Sequence, residues 1–174
     1  CDDNGVWQPG TRMRIPGTMK SRTTQNFVQS AGWNYRLPYL QGFYNPVMAN
    51  GDDRVYFSST MEGTKGGRDI FYVDMDNEEE RVWTAPVNVE NLNSSADEDW
   101  VQVLGDTLMY VSSAKSGTMA VYSSTAADST WNEPVLMPNP YNEAGTNYNM
   151  FVKDSIPMLI SDRNGNVDIY LFHE

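Results

Sequence analysis

The 174-residue chain has one cysteine, one histidine and no long apolar run. One cysteine excludes an internal disulfide. It also excludes a thiolate metal cage, and one histidine excludes a histidine-rich one. Nucleophilic catalysis needs a nucleophile, a base and a group that orients the base. The lone imidazole, His173, sits next to the last residue and is a poor place to hang such a triad. No apolar stretch approaches the ~18 residues of a membrane span. Cations are also scarce: 12 Lys and Arg stand against 23 Asp and Glu, a net charge of −11. That balance repels phosphate backbones, so no nucleic-acid partner is expected.

The single cysteine is the first residue, followed by Asp2-Asp3. A mature chain that starts on its sole thiol is what lipoprotein processing leaves behind. Lipidation of Cys1 and anchoring to a membrane are therefore expected. Several acyl chains on one residue give stable attachment where a single myristoyl group is marginal.

With 40% hydrophobic and 20% charged residues, the composition is that of a globular domain. The chain also repeats itself. Tyr56-Phe57-Ser58-Ser59 is followed by Asp69-Ile70-Phe71-Tyr72 and Trp83-Thr84-Ala85-Pro86. Tyr110-Val111-Ser112-Ser113 is followed by Ala120-Val121-Tyr122 and Trp131-Asn132-Glu133-Pro134. Leu159-Ile160-Ser161-Asp162 is followed by Asp168-Ile169-Tyr170. On this alignment Ser59 to Ser113 is 54 residues, Ser113 to Asp162 is 49, and Trp83 to Trp131 is 48. Each unit reads as short strands punctuated by Gly, Asp and Ser. In the second unit strands are expected at Trp100–Val103, Thr107–Ser112, Met119–Ser123 and Trp131–Leu136. In the third, Asn164-Gly165 is a two-residue hairpin signal. Four short antiparallel strands per roughly 50 residues is the pattern of a propeller blade.

These motifs resemble the TolB-type propeller repeats, also called PD40 or WD40-like repeats. The residues that carry the resemblance are Gly66-Gly67-Arg68-Asp69-Ile70-Phe71-Tyr72, the loop Asn91–Glu98, and Asp162–Tyr170. It covers roughly residues 40–174, and Ala120 departs from it where the family has Asp. It implies an all-β fold, a small β-propeller of about four blades. The units expected are 40–88, 89–138 and 139–174, an irregular N-terminal blade at 10–39, and a tether at 1–5. Val6-Trp7-Gln8-Pro9 supplies an N-terminal strand that closes the C-terminal blade and satisfies its edge. The alternative is an open three-blade arc completed by a partner. With closure at Trp7, Cys1 to Gly5 reaches less than about 20 Å at ~3.5 Å per residue. The domain would then sit close to the membrane.

Function is less legible. Asp52-Asp53 and Glu78-Glu79-Glu80 read as solvated turn residues, and Asp97-Glu98-Asp99 as part of the repeat's own loop. Asp162-x-Asn164-x-Asn166-x-Asp168 spaces oxygen atoms as a calcium loop begins, as does Asp74-x-Asp76-x-Glu78-x-Glu80. The first lacks the closing Glu and the second the central Gly, so no cofactor is expected. The loop face of the repeats carries Lys65, Arg68, Asp97, Asp99, Trp100, Tyr141 and Tyr148, a mixture suited to protein contacts. Asp2-Asp3 after the cysteine resembles a signal that exports lipoproteins to the cell surface in some Gram-negative bacteria. The expectation is a non-enzymatic outer-membrane lipoprotein that acts as scaffold or accessory subunit of a membrane protein complex. The alternatives are a surface glycan- or nutrient-binding lipoprotein and, more weakly, a carboxylate-dependent glycosidase.

Overall fold

The computed structural model describes residues 42–49, 53–77, 82–105 and 107–172. These form an all-β arrangement of three antiparallel sheets in chain order. The first contains β1 (Phe43–Ala49), β2 (Arg54–Ser59) and β3 (Asp69–Asn77), with β4 (Val82–Trp83) and β5 (Val87–Asn88) both on the outer edge of β3. The second repeats it with β6 (Glu98–Leu104), β7 (Leu108–Ser113), β8 (Ala120–Ala127), β9 (Thr130–Trp131) and β10 (Val135–Leu136). The third has β11 (Asn147–Lys153), β12 (Ile156–Ser161) and β13 (Asp168–Leu171). Cys1, the tether at 1–5, the closing strand at Trp7, the blade at 10–39, Glu78–Glu80 and His173 lie outside the described residues.

The sequence expects one outer strand per unit, and the structure splits it in two. Ala126 pairs with Trp131 and Ser123 with Val135, so Asn132–Pro134 is set against only two residues of β8. Pro134 has no N–H to give to the ladder, and the strand bulges around it. The first sheet does the same around Pro86, between the pairs Met75–Trp83 and Tyr72–Val87.

Two turn expectations are corrected. Ser161 pairs with Asp168, so the segment holding Asn164-Gly165 is a six-residue loop and not a two-residue hairpin. Only Gly165 there takes a positive φ, +90°. The two-residue hairpin is at Asp154-Ser155, between the paired Lys153 and Ile156, with φ of 51° and 64°. Positive φ at both central residues is what a type I′ turn requires. The repeat alignment also slips by one position in the third unit. Ser59 pairs with Asp69, Ser113 with Ala120 and Ser161 with Asp168. Ser161 therefore holds the place of Ser113, and Asp162 falls in the loop. A one-residue slip moves every side chain to the opposite face of a strand. The cross-strand pairs settle the register that similarity of letters had misplaced.

Strands β2, β3, β7 and β8 are buried on both faces: the sheets pack on one another, and the other face of the first sheet is closed by its own Val55, Phe57, Phe71, Val73 and Trp83. Tyr56, Ile70, Val89 and Leu92 of the first sheet and its following loop meet Val101, Met109, Val111, Tyr122 and Trp131 of the second. On its other side the second sheet presents Tyr110 and Val121 to Met150 and Leu159 of the third. Met109 is core, whereas Met158 is only half-buried. It pairs with the exposed Leu171 on a face of the third sheet that no further sheet covers among the described residues. The first strands come together, with β6 packed against both β1 and β11.

One device ties each connection to the sheet it leaves. Asn93 accepts from Ile70 N at 2.7 Å and donates to Ile70 O at 2.9 Å. Asn142 makes the same pair of bonds to Val121, at 2.9 and 2.8 Å. A side-chain amide thus continues the strand ladder where the chain turns towards the next sheet. Ile70 is fully buried, and only Asn93 serves its N–H. Asn93→Ala should cost about 1–3 kcal/mol, the penalty of leaving a buried donor bare. The expected result is a lower urea midpoint with an unchanged m value.

Candidate functional site

The loops on one end of the sheets carry most of the polar residues singled out from sequence. Gly66 and Gly67 let the β2–β3 loop come against the segment that enters β6. A Cβ on Gly66 would press on the carbonyl carbon of Ser95 and stand 2.6 Å from Ala96 O, so any side chain there would force the loops apart. Across this contact the acidic run Asp97-Glu98-Asp99 grips Arg68 three ways. The Arg68 N–H donates to Asp97 Oδ1 at 2.7 Å, and Arg68 O accepts from Glu98 N at 2.7 Å. The Arg68 guanidinium pairs with Asp99 Oδ2 and lies 5.0 Å from the centre of the Tyr44 ring.

Both inner carboxylates of the run are buried, Glu98 at 0% and Asp99 at 1% exposure. Their partners explain how. Asp99 Oδ1 accepts from Ser58 Oγ, from Asn45 Nδ2 at 2.6 Å and from the N–H of Trp100 at 3.0 Å. Glu98 accepts from Ser94 N at 2.7 Å, Ser94 Oγ at 2.6 Å and Ser113 Oγ at 2.6 Å. Buried charge is tolerated only with such satisfaction. Asp99 thus accepts four hydrogen bonds and Glu98 three, and both carboxylates are closed off from solvent. The run works as a clamp between the first and second sheets.

The other residues divide. Trp100 lies in a bulge of β6 with φ of 38°, between the paired Asp99 and Val101. Tyr148 lies in the corresponding bulge of β11. Their rings meet edge to face at 6.0 Å and 86°. Each aromatic is thus used on the other, across the second and third sheets. Lys65 is exposed and donates Nζ to Glu90 O at 2.7 Å. Tyr141 packs on Phe172 at 4.9 Å and gives its carbonyl to Arg163 Nη2 at 2.7 Å. Arg68, Asp97 and Asp99 are brought together, as are Trp100 and Tyr148, but the seven do not form one site.

The calcium-like spacing at Asp162 has a structural use. Asp162 Oδ1 accepts from Thr146 N, and Oδ2 from Tyr148 OH at 3.4 Å. The carboxylate thus serves the entry to β11. The backbone N–H of Thr146 holds it below the ordinary carboxylate range. Asp74 of the other calcium-like run is taken by Arg54, Nε to Oδ1 at 2.6 Å and Nη2 to Oδ2 at 2.9 Å. No group of three or more His, Cys, Asp or Glu suited to a metal occurs among the described residues.

Sequence reading passed over a crevice at the opposite end of the strands. Arg54, clamped by Asp74, lies 4.0 Å from the centre of the Tyr72 ring. The bond to Asp74 raises its already high pKa. Tyr56 OH accepts from Trp131 Nε1 at 3.0 Å. Two adjoining hollows of about 230 and 210 Å³ open here, between β5 and the β8–β9 turn. The one sequence signal was Trp131 itself, read as an outer-strand residue. Its bond to Tyr56, 75 residues away, has no local pattern. No family model matches this chain, and no curated protein matches it.

Removing Asp99 leaves Ser58, Asn45 and Arg68 without their acceptor. The Arg68 side chain is 35% exposed and can turn to water, so Asp99→Ala should lose about 1–3 kcal/mol, the penalty of leaving a buried donor such as the Ser58 hydroxyl bare. Urea unfolding monitored by tryptophan fluorescence measures it. The Asp162 pKa is lowered on folding, so its contribution is full above the unfolded carboxylate value of about 3.9 and is lost as pH falls through the native value. Melting temperatures of wild type and Asp162→Asn should differ most near neutrality and converge as the pH drops below about 4.

Proposed function

We propose that this chain is a non-catalytic outer-membrane lipoprotein, lipidated on Cys1, that serves as a scaffold or accessory subunit of a membrane protein complex. Its domain, on this reading, is a small propeller of TolB-type blades. Three meander sheets in chain order support that architecture, each placing its first strand beside that of its neighbour. So do the outer strands of the first two, which carry Trp83 and Trp131 and break at Pro86 and Pro134.

The observation that carries the functional reading is the fate of the acidic run. A carboxylate-dependent hydrolase needs one acid and one base free to meet substrate. Asp97, Glu98 and Asp99 are instead occupied with Arg68, Ser58, Ser94 and Ser113. The glycan-binding alternative needs open aromatic faces, and Trp100, Tyr148 and Tyr141 are engaged with protein partners. Apolar side chains remain on the outside of β10: Val135 is 69% exposed, and Leu136 is exposed with it. Such surface suits contact with another protein.

Affinity purification from detergent-solubilised membranes should recover stoichiometric protein partners. Mass spectrometry of the same material should show an acylated Cys1. A protein that purifies alone and is retarded on a glycan affinity gel would favour the binding lipoprotein instead. An unmodified Cys1 thiol would remove the anchor.

A further inference from the structure

In the first two sheets a tryptophan is the second residue of the outer strand and packs in the cluster at the same strand position. Trp83 packs in a cluster with Val55 and Val73, which are cross-strand partners. Trp131 packs in a cluster with Met109, whose cross-strand partner is Ser124. All four covered residues are buried. By register, the same pair in the third sheet is Pro157 and Phe172, joined by Phe172 N to Pro157 O at 2.9 Å. These two are only half-buried. With Tyr141, Asp154, Ser155 and Ile156 they line a cavity of about 490 Å³. The hollow opens to the surface beside the exposed Asp154-Ser155 turn, where the first two sheets are closed over by Trp83 and Trp131.

The backbone beside the cavity repeats the point. In the first sheet Tyr72 pairs with Val87, and Ile70 O accepts from Val89 N at 3.0 Å. In the second, Ser123 pairs with Val135, and Val121 O accepts from Met137 N at 3.0 Å. The equivalent residues of β13 are Leu171 and Ile169. Among the described residues β13 has no strand on that edge, and Ile169 is 58% exposed where Ile70 is buried. An open edge flanked by apolar side chains recruits a strand.

We propose that the cavity is a slot for an indole, and that its occupant is Trp7 of this same chain, carried on a strand that adds antiparallel to β13. The chain has five tryptophans. Trp83 and Trp131 fill the two equivalent slots, and Trp100 is paired with Tyr148. Of the remaining two, Trp7 has the matching neighbours. A β-branched residue precedes each slot tryptophan, in Val82-Trp83 and Thr130-Trp131, and Val6 precedes Trp7 whereas Gly32 precedes Trp33. Proline follows at the third position after Trp83 and Trp131, at the second after Trp7, and only at the fifth after Trp33. The inference rests on the repeat reading of the fold and is independent of any partner protein.

The test is ¹⁹F NMR of the full chain labelled with 5-fluorotryptophan. Each resonance is assigned by its loss in the corresponding Trp→Phe variant. In the unsubstituted chain the Trp7 signal should be shielded from a soluble gadolinium chelate to the same degree as those of Trp83 and Trp131. Phe172→Ala should shift the Trp7 resonance and leave that of Trp33 in place. A Trp7 signal broadened by the chelate like that of free tryptophan overturns the proposal, and that measurement needs no slot variant to fold. A Phe172→Ala shift on Trp33 instead of Trp7 overturns the choice of occupant. Shielding that disappears on dilution, with a change from dimer to monomer, would give the slot to a second copy and also overturn it. None of these outcomes depends on whether the membrane pull-down finds partners, so the scaffold reading is tested separately.

Discussion

The grip of Asp97, Glu98 and Asp99 on Arg68 is the contact on which the join between the first two sheets depends. Three consecutive residues use all three functional parts of one arginine: its N–H, its carbonyl and its guanidinium. Burying two carboxylates side by side is costly in isolation. Here every nearby donor is drawn in, from Ser58 and Asn45 on one side and from Ser94 and Ser113 on the other. Asn45 is placed by a bulge, Ser58 and Ser113 by the ends of their strands and Ser94 by the loop before β6, so the clamp also fixes where β6 begins. The apolar packing of Tyr56, Ile70 and Trp131 supplies the bulk of burial, and the clamp supplies the register in which that packing meets.

The join between the second and third sheets has the same plan with softer chemistry. Asn147 stands at the start of β11 where Glu98 stands at the start of β6, and each donates its N–H back to the loop of the sheet before it. Arg163 holds Pro140 O and Tyr141 O rather than a carboxylate. Gln102 spans the two sheets by bonding both backbone groups of Val152, much as Asn93 and Asn142 bond Ile70 and Val121. Amides recur at these junctions because one amide offers a donor and an acceptor at strand spacing and carries no charge to desolvate.

The polar residues that a sequence scan marks for catalysis or ligand binding are used to hold sheet to sheet. Exposed apolar side chains lie on β10, at Val135 and Leu136, and on β13, at Ile169 and Leu171.

The all-β character, the three units after residue 40 and the position of most strands were legible in the sequence. They follow from local pattern: β-branched and aromatic runs, Gly-Gly and Asp-Ser punctuation, and a recurring Trp-x-x-Pro. The split of each outer strand was half-legible, since Pro86 and Pro134 announce a break without its register. The hairpin at Asp154-Ser155 was not legible, because Asn164-Gly165 is the stronger signal and only pairing across β11 and β12 overrules it. Asp97, Glu98 and Asp99 look in sequence like any acidic loop. Their burial depends on Asn45, Ser58 and Ser113, residues between 15 and 54 positions away, and no local pattern encodes contacts at that range. The sequence by itself determined which segments become strands and how often the pattern recurs. Only the tertiary structure decided which side chains the sheets trap between them, because burial and partnership arise where distant strands meet.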